Sequence, residues 1–378
     1  MMEKESQNFQ MENPVDFTMV EQVEDDPALL ERMLEDTANA DPLYRPTNYW
    51  EVYSRTFVSE LRKNGLHDFR SRKFGIFNSF GAADIFPRPV VRVRLPRGGG
   101  LAGRLLTKAF EVLPFVDLEI EGILPEEIPI YFYNILKKDF EKKGLDLSRC
   151  QSNRIGNPSG MTEIGGEIWT QKQLENCRVF IDALDHFEMP EDAIVCELGP
   201  GLGRNVEIMA SLYPNATFLM FDIPPQIYVM NQYMKKRFLK RLIPYEDAMK
   251  LKVGDSPTLA NELKGRIVIL PAAKFPEWSS ISLDLFWNSA SFQEMETDVI
   301  SNYLRLVSKM NAATIFINAS PGGNYWGEWS PGRGGIKSKL SDSIYMDELS
   351  SKYDLKSEYF TDRFNERPND ISYVFVKR

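Results

Sequence analysis

The chain has 378 residues, 43% of them hydrophobic and 26% charged, with a formal net charge of -9. These values describe an ordinary globular chain with room for two domains and no low-complexity or fibrous character. The acidic balance argues against nucleic acid as the main partner, and two histidines, His67 and His186, are too few for a multi-histidine metal site.

Three cysteines (Cys150, Cys177 and Cys196) lack metal-ligand spacing and predict reduced thiols, hence a cytoplasmic protein. The start of the sequence has no basic stretch followed by an apolar one, and no apolar run reaches membrane-spanning length. Neither a signal peptide nor a membrane span is therefore expected.

Residues 1–42 carry twelve Asp or Glu against two Lys or Arg and read as an acidic, partly disordered leader. Within it, Asp26-Pro27 offers a cap and a first-turn proline for a short helix running to Glu35. Asn48 to Lys63 has helical spacing (Tyr49, Val52, Tyr53, Phe57, Leu61) and stops at Gly65. His67 follows in a loop with no partner for a catalytic pair nearby in sequence. Arg88 to Lys108 is basic and glycine-rich but lacks the Gly-Lys-Ser/Thr of a P-loop. It reads as an exposed strand and loop, or as an anion-binding edge. Glu126 to Lys143 reads as another amphipathic helix, ended by Gly144.

Arg154 to Met161 is loop-like. Asn157, Pro158 and Gly160 are placed either to close over a ligand or simply to link. Gln171 to Phe187 is a long helix with Cys177, Phe180, Ile181 and Leu184 on its apolar face. Then comes the most informative stretch. An apolar run from Ala193 ends in Glu197 and a glycine turn, Gly199-Pro-Gly-Leu-Gly203. A helix follows over Asn205–Tyr213, then a second apolar run ending at Asp222. Strand, glycine turn, helix, strand and acid make a βαβ unit with a ligand-binding edge. A dinucleotide site wants G-x-G-x-x-G, and Arg204 stands where that pattern needs its last glycine. The acid at Glu197 also suits a cationic ligand better than a diphosphate.

Pro224 and Pro225 open the next helix, which ends in Lys235, Lys236, Arg237, Lys240 and Arg241. This cluster reads as a solvated face that complements the helix dipole. Three more buried strands are expected at Arg266–Ala272, Ile281–Asn288 and Ala313–Asn318, with a helix over Glu296–Lys309. Tyr325 to Gly335 is an aromatic, glycine-rich loop in which Tyr325, Trp326 and Trp329 are placed either to stack on a ligand ring or to pack in the core or a lid. Leu355–Phe360 and Ile371–Lys377 read as a closing antiparallel pair. Alternating strands and helices predict a mostly parallel α/β sheet. Ligands then lie beyond its carboxyl edge, at Gly199–Gly203, Asp222-Ile223, Pro271–Lys274 and Asn288–Glu294.

The run Glu197-Leu-Gly-Pro-Gly-Leu-Gly203 resembles the first motif of class I S-adenosylmethionine-dependent methyltransferases. The pairing of Phe221-Asp-Ile-Pro224 with Asn288-Ser-Ala-Ser-Phe-Gln-Glu-Met295 is similar to the sugar O-methyltransferase family of bacterial polysaccharide and natural-product clusters. The likeness spans roughly residues 150–320, with a weaker echo over Asn48–Phe69.

The resemblance implies a Rossmann-like sheet with an antiparallel last strand, after a mainly helical N-terminal region. It divides the chain into a leader (1–42), a substrate or lid region (43–160) and a cofactor domain (161–378). S-adenosylmethionine would be held by Glu197, Gly199, Gly201, Gly203, Asp222 and Ile223. A methyl group would pass to a hydroxyl of a sugar or sugar-bearing metabolite, with Glu294 as base and Gln293 and Asn288 orienting the acceptor. The competing reading of Glu294 is a first-turn acid of the next helix. A divalent cation, with Asp284 and Asp255 as ligands, has no compelling spacing. The expected partner is a small molecule or glycan, and a homo-oligomer is possible. Methylation of a non-sugar metabolite, a catalytically inactive cofactor-binding protein and a dehydrogenase are the alternative readings.

Overall fold

The structure, a computed structural model, describes residues 21–72, 127–253, 256–325, 334–341, 343–361 and 370–378. A short hairpin, β1 (Met161–Ile164) and β2 (Glu167–Thr170), leads into a seven-stranded sheet. Its strands are β3 (Ile194–Leu198), β4 (Thr217–Asp222), β5 (Ile267–Pro271), β6 (Leu285–Ser289), β7 (Thr314–Ala319), β8 (Tyr353–Phe360) and β9 (Ile371–Lys377). In space they run β5-β4-β3-β6-β7-β9-β8. The first five are parallel; β9 is antiparallel to β7, and β8 to β9. This is the expected Rossmann-like sheet, mostly parallel with the last strand antiparallel and inserted beside β7.

Every residue of β4, β5 and β7 is buried, because helices cover both faces of a parallel sheet. Alternate side chains feed two cores. Val195, Phe218, Met220, Ile269 and Trp287 join one; Cys196, Leu219, Phe221, Leu270 and Phe286 join the other.

The helices are α1 (Pro27–Thr37), α2 (Asn48–Asn64), α3 (Glu127–Lys142), α4 (Gln171–Ala183), α5 (Arg204–Leu212), α6 (Pro224–Arg237), α7 (Tyr245–Ala248), α8 (Ser256–Glu262), α9 (Thr297–Lys309) and α10 (Ile344–Leu349). Asp26 caps α1 through Leu29 N at 3.0 Å, with Pro27 in its first turn. That stretch of the acidic segment packs on the sheet domain: Tyr228 of α6 donates to Asp25 at 2.6 Å, and Tyr245 of α7 to Asp36 at 2.9 Å. Gly65 ends α2 with a positive φ of 54°.

Three expectations need correction. The β1–β2 hairpin stands between the predicted loop and α4, where no strand was expected. The fourth parallel strand starts at Leu285 rather than Ile281. The basic cluster after α6 is solvated only in part. Lys235 and Lys236 pair with Glu24 and Glu21, but Arg237 reaches buried Glu207. Arg241 is buried and donates to the carbonyls of Ala210, Ala216 and Gly265 at 2.7–2.8 Å. A guanidinium presents several donors in a fixed fork, so it can tie up chain ends that water cannot reach. His67 is exposed beside Asp68. The basic stretch 88–108 and the leader's residues 1–20 lie outside the described residues.

Candidate cofactor and acceptor site

The carboxyl ends of the parallel strands align, with Leu198 opposite Phe221, Asp222 opposite Pro271 and Asn288 opposite Ile317. The glycine turn, Asp222-Ile223, Ala272-Ala273 and the segment from Asn288 to Glu294 therefore share one edge.

At that edge β3 must pass at once into α5. Gly199, Gly201 and Gly203 take φ values of 71°, 59° and 86°, which side chains avoid. A Cβ on Gly199 would stand 2.2 Å from Ser291 Oγ, and one on Gly203 would stand 2.6–2.7 Å from the methyl groups of Met234 and Met220. The glycines thus let the turn lie against the loop after β6 and let α5 pack on α6 and β4.

Asp222 accepts the amides of Gly201 (2.9 Å) and Ile223 (2.8 Å). Burial pushes its carboxyl up to about 7, against the pull of those two amides. Glu197 is buried at the base of the turn. Burial raises it to about 8, the Asn205 amide opposes that rise, and the charge of Asp222 adds to it. Asn205 Nδ2 donates to Glu197 Oε1 at 2.8 Å. Glu197 Oε2 and Asn205 Oδ1 are buried acceptors with no hydrogen-bond partner among the described residues. Leaving such atoms unpaired costs free energy, so the pair suits a ligand rich in donors.

A cavity of about 400 Å³ opens beside Asp222. Asp222, Ile223, Pro224 and Pro225 line one side with Ala272 and Ala273; the other side comes from α1, α2 and the residues between them. Asn157, Pro158 and Gly160 do not line it.

The loop after β6 is organised differently, because its polar groups are bonded within the loop and to neighbouring segments of the fold. Asn288 is fully buried. It donates to Leu198 O (3.0 Å) and Ser291 Oγ (3.1 Å) and accepts the Phe292 amide (3.1 Å). Ala290 holds a left-handed φ of 66° beside it and donates to Asn318 O at 2.8 Å. Gln293 is also fully buried; its Oε1 accepts Ser320 N at 2.7 Å, and its carbonyl accepts Asn324 N at 2.7 Å. Glu294 accepts the Trp50 indole N–H on Oε2 at 2.8 Å and Asn324 Nδ2 on Oε1 at 3.2 Å. Thr47 Oγ1 adds a bond to Glu294 O at 2.8 Å. The structure therefore brings Asn288, Gln293 and Glu294 together on the expected edge, as a rim that fastens α2 to the sheet.

Asp284 sits at the other end of β6. It accepts Ile194 N at 2.7 Å, at the amino edge of the sheet. That placement removes it as a metal ligand at the carboxyl edge, and Asp255 lies outside the described residues. Among the described residues no group of three His, Cys, Asp or Glu side chains is placed to hold a metal ion. Tyr325 is partly exposed; Trp326 and Trp329 lie outside the described residues.

Sequence reasoning missed Asn205, Ser291, Trp50 and Asn324. Asn205 had a signal in its place in the first helical turn directly after the glycines, next to Arg204 and Glu207. Trp50 had none, since 244 residues separate it from Glu294.

No protein-family model and no curated protein matches the sequence. Solved structures similar to this chain include a mitomycin 7-O-methyltransferase at 12% identity, covering 55% of this chain and 57% of that one, with a TM-score of 0.34. The magnesium protoporphyrin IX methyltransferase of Synechocystis with bound S-adenosylhomocysteine is 8% identical over 55% of this chain and 83% of its own, with a TM-score of 0.35. A Haemonchus contortus phosphoethanolamine N-methyltransferase in complex with phosphoethanolamine and S-adenosylhomocysteine is 13% identical over 69% and 51%, with a TM-score of 0.35. The match takes in little more than half the length of the first of these proteins.

Proposed function

We propose that the chain is an S-adenosylmethionine-dependent O-methyltransferase whose acceptor is a hydroxyl of a sugar or sugar-bearing metabolite. The observation that carries the cofactor reading is the pair of buried acceptors, Glu197 Oε2 and Asn205 Oδ1, that have no partner among the described residues and lie at the base of the glycine turn. They fit an ammonium donor and offer nothing to a diphosphate. Asp222 has lone pairs left after its two amides and suits a vicinal diol.

When bound, the cofactor supplies an activated methyl group. The protein's own task is then to hold the acceptor oxygen in line and take up its proton. Glu294 is the proposed base, and Asn288 and Gln293 position it by fixing the loop that carries it. The sugar preference rests on the resemblance carried by Phe221–Pro224 together with Asn288–Met295.

The test is calorimetric titration with S-adenosylmethionine, S-adenosylhomocysteine and NAD, followed by turnover on a panel of sugar and non-sugar hydroxyl acceptors. Binding of the two sulfur compounds and not of NAD is expected, with turnover confined to sugars. Binding of NAD in their place would overturn the cofactor assignment.

One observation favours a second reading. The Glu294 carboxylate is already held by Trp50 and Asn324, as suits a tether in a cofactor-binding protein without catalysis. Glu294→Gln separates the two. A base predicts retained cofactor binding with turnover down by about a hundredfold or more; a tether predicts unchanged turnover or none in either form.

A further inference from the structure

The cavity beside Asp222 has two walls of different origin, and the second belongs to no part of the βαβ unit. One wall is the carboxyl edge of β4 and β5. The other includes Leu34 of α1, the 44–46 connection, and Ser54, Arg55, Val58 and Arg62 of α2. We propose that α1 and α2 are the outer wall of the adenosine pocket, so that a purine base lies between the Ile223 and Ala272 edge and the α2 face bearing Ser54 and Val58. This inference rests on the cofactor reading above and adds a second protein surface to that site.

Three observations support it. First, the position along the sheet is right for the base rather than for the acceptor. The cavity takes edge residues from β4 and β5 and none from β6 or β7, whereas the proposed acceptor rim follows β6. The glycine turn of β3 lies between the two, so a ligand crossing it puts one end in this cavity and the other near Glu294.

Second, the chemistry suits a flat heteroaromatic ring. Leu34, Val58, Ile223 and Ala272 are apolar, and a volume of about 400 Å³ falls within the usual range of small-ligand sites. Ser54 Oγ is buried without a partner among the described residues, although a helical serine commonly bonds the carbonyl one turn back. It is a polar atom available to a ring nitrogen after a χ1 rotation. Of the other wall hydroxyls, Thr37 Oγ1 is spent on Met33 O and Leu34 O, and Tyr44 Oη reaches Asn302 Oδ1 at 3.5 Å.

Third, the wall is held at both ends. Trp50 and Thr47 bind Glu294, Asn48 donates to Gly335 O at 2.8 Å, and Arg62 forms a two-bond pair with Glu31 of α1. A helix fixed in this way gives the pocket a constant width.

The experiment titrates the full chain with S-adenosylhomocysteine and with adenosine, which lacks the amino-acid half, and compares wild type, Asp222→Ala and Ser54→Trp. Hydrogen exchange of wild type is followed in the same two ligands. Ser54→Trp is expected to weaken both ligands roughly tenfold or more with an unchanged melting temperature. Amides of residues 48–64 are expected to exchange more slowly with either ligand bound. Affinities within about twofold of wild type in Ser54→Trp would overturn the proposal. Where that variant does not fold, unaltered exchange over α2 in liganded wild type overturns it equally. Loss of binding in Asp222→Ala alone leaves the cofactor reading standing without this wall, whereas no binding by wild type removes both.

Discussion

The glycine turn and the rim after β6 lie on one edge of one sheet and are built on opposite principles. At the turn, Glu197 and Asn205 each keep a buried acceptor without a partner among the described residues, and buried Asp222 accepts the backbone amides of Gly201 and Ile223. At the rim, Asn288, Gln293 and Glu294 direct their polar atoms at Leu198, Ser320, Asn324 and Trp50. Both regions are polar and buried, so burial alone does not distinguish a binding surface from a brace. What distinguishes them is whether the fold itself satisfies the groups. On that criterion the turn is the proposed ligand surface, whereas the bonds of the rim, including those to the proposed base Glu294, also hold α2 and the loop in place.

The largest expected effect tests the turn. Asp222→Ala removes a carboxylate proposed to accept two hydroxyl donors. Hydrogen bonds to a charged group are worth roughly 1.5–3 kcal/mol each, so a loss of about a hundredfold or more in S-adenosylmethionine affinity is expected by calorimetry. A loss below about threefold would place the ligand elsewhere.

Next in size is Asn288→Ala, which tests the rim as a brace. It leaves Leu198 O and the Phe292 amide without their buried partner and should cost roughly 2–4 kcal/mol in urea unfolding. If the rim instead orients an acceptor, stability will be nearly unchanged and the acceptor KM will rise.

The third prediction concerns pH. Asp222 and Glu197 have folded-state values raised to about 7 and about 8 from ordinary values of 3.8 and 4.5. The folded free protein therefore binds more protons than the unfolded chain between the ordinary and the raised values, and its stability falls as pH climbs through that window. A cationic ligand favours the carboxylates, so its affinity should rise between pH 6 and 8, by up to about tenfold per unit for each proton released. Glu197→Gln should flatten part of that rise. A flat profile in wild type would mean that neither carboxylate meets the ligand's charge.

The regions also differ in how far the sequence disclosed them. The five parallel strands were legible because strands buried on both faces must be apolar throughout. Gly199, Gly201 and Gly203 were legible because a turn from strand to helix needs left-handed backbone, and Asp222 because it ends an apolar run. The β1–β2 hairpin was signalled by Gly165-Gly166, both with positive φ (63° and 87°), but its four-residue strands are too short and too unevenly buried to show a period. The edge position of Asn288, Gln293 and Glu294 was also legible. That their polar atoms are already taken was not, since the partners Trp50, Ser320 and Asn324 come from distant segments, and composition does not tell a satisfied amide from an available one. Arg241 was misjudged for the same reason: a basic residue near a helix end reads as solvated until the carbonyls it serves are placed around it.

The smallest effect expected is the most discriminating about how the two regions cooperate. Trp50→Phe keeps a benzene ring but removes the pyrrole part of the indole with its N–H, so Glu294 loses that bond and keeps the one from Asn324. A single bond to a partly buried carboxylate is worth about 1–2 kcal/mol, and thermal unfolding should register that loss. If α2 is the outer wall of the ligand cavity, loosening its tether lowers the fraction of molecules with the wall in place. Affinity for S-adenosylhomocysteine then falls by that same factor, a severalfold weakening at a site Trp50 does not line. A stability loss with unchanged affinity would confine the tether to holding the fold together and break the link between rim and turn.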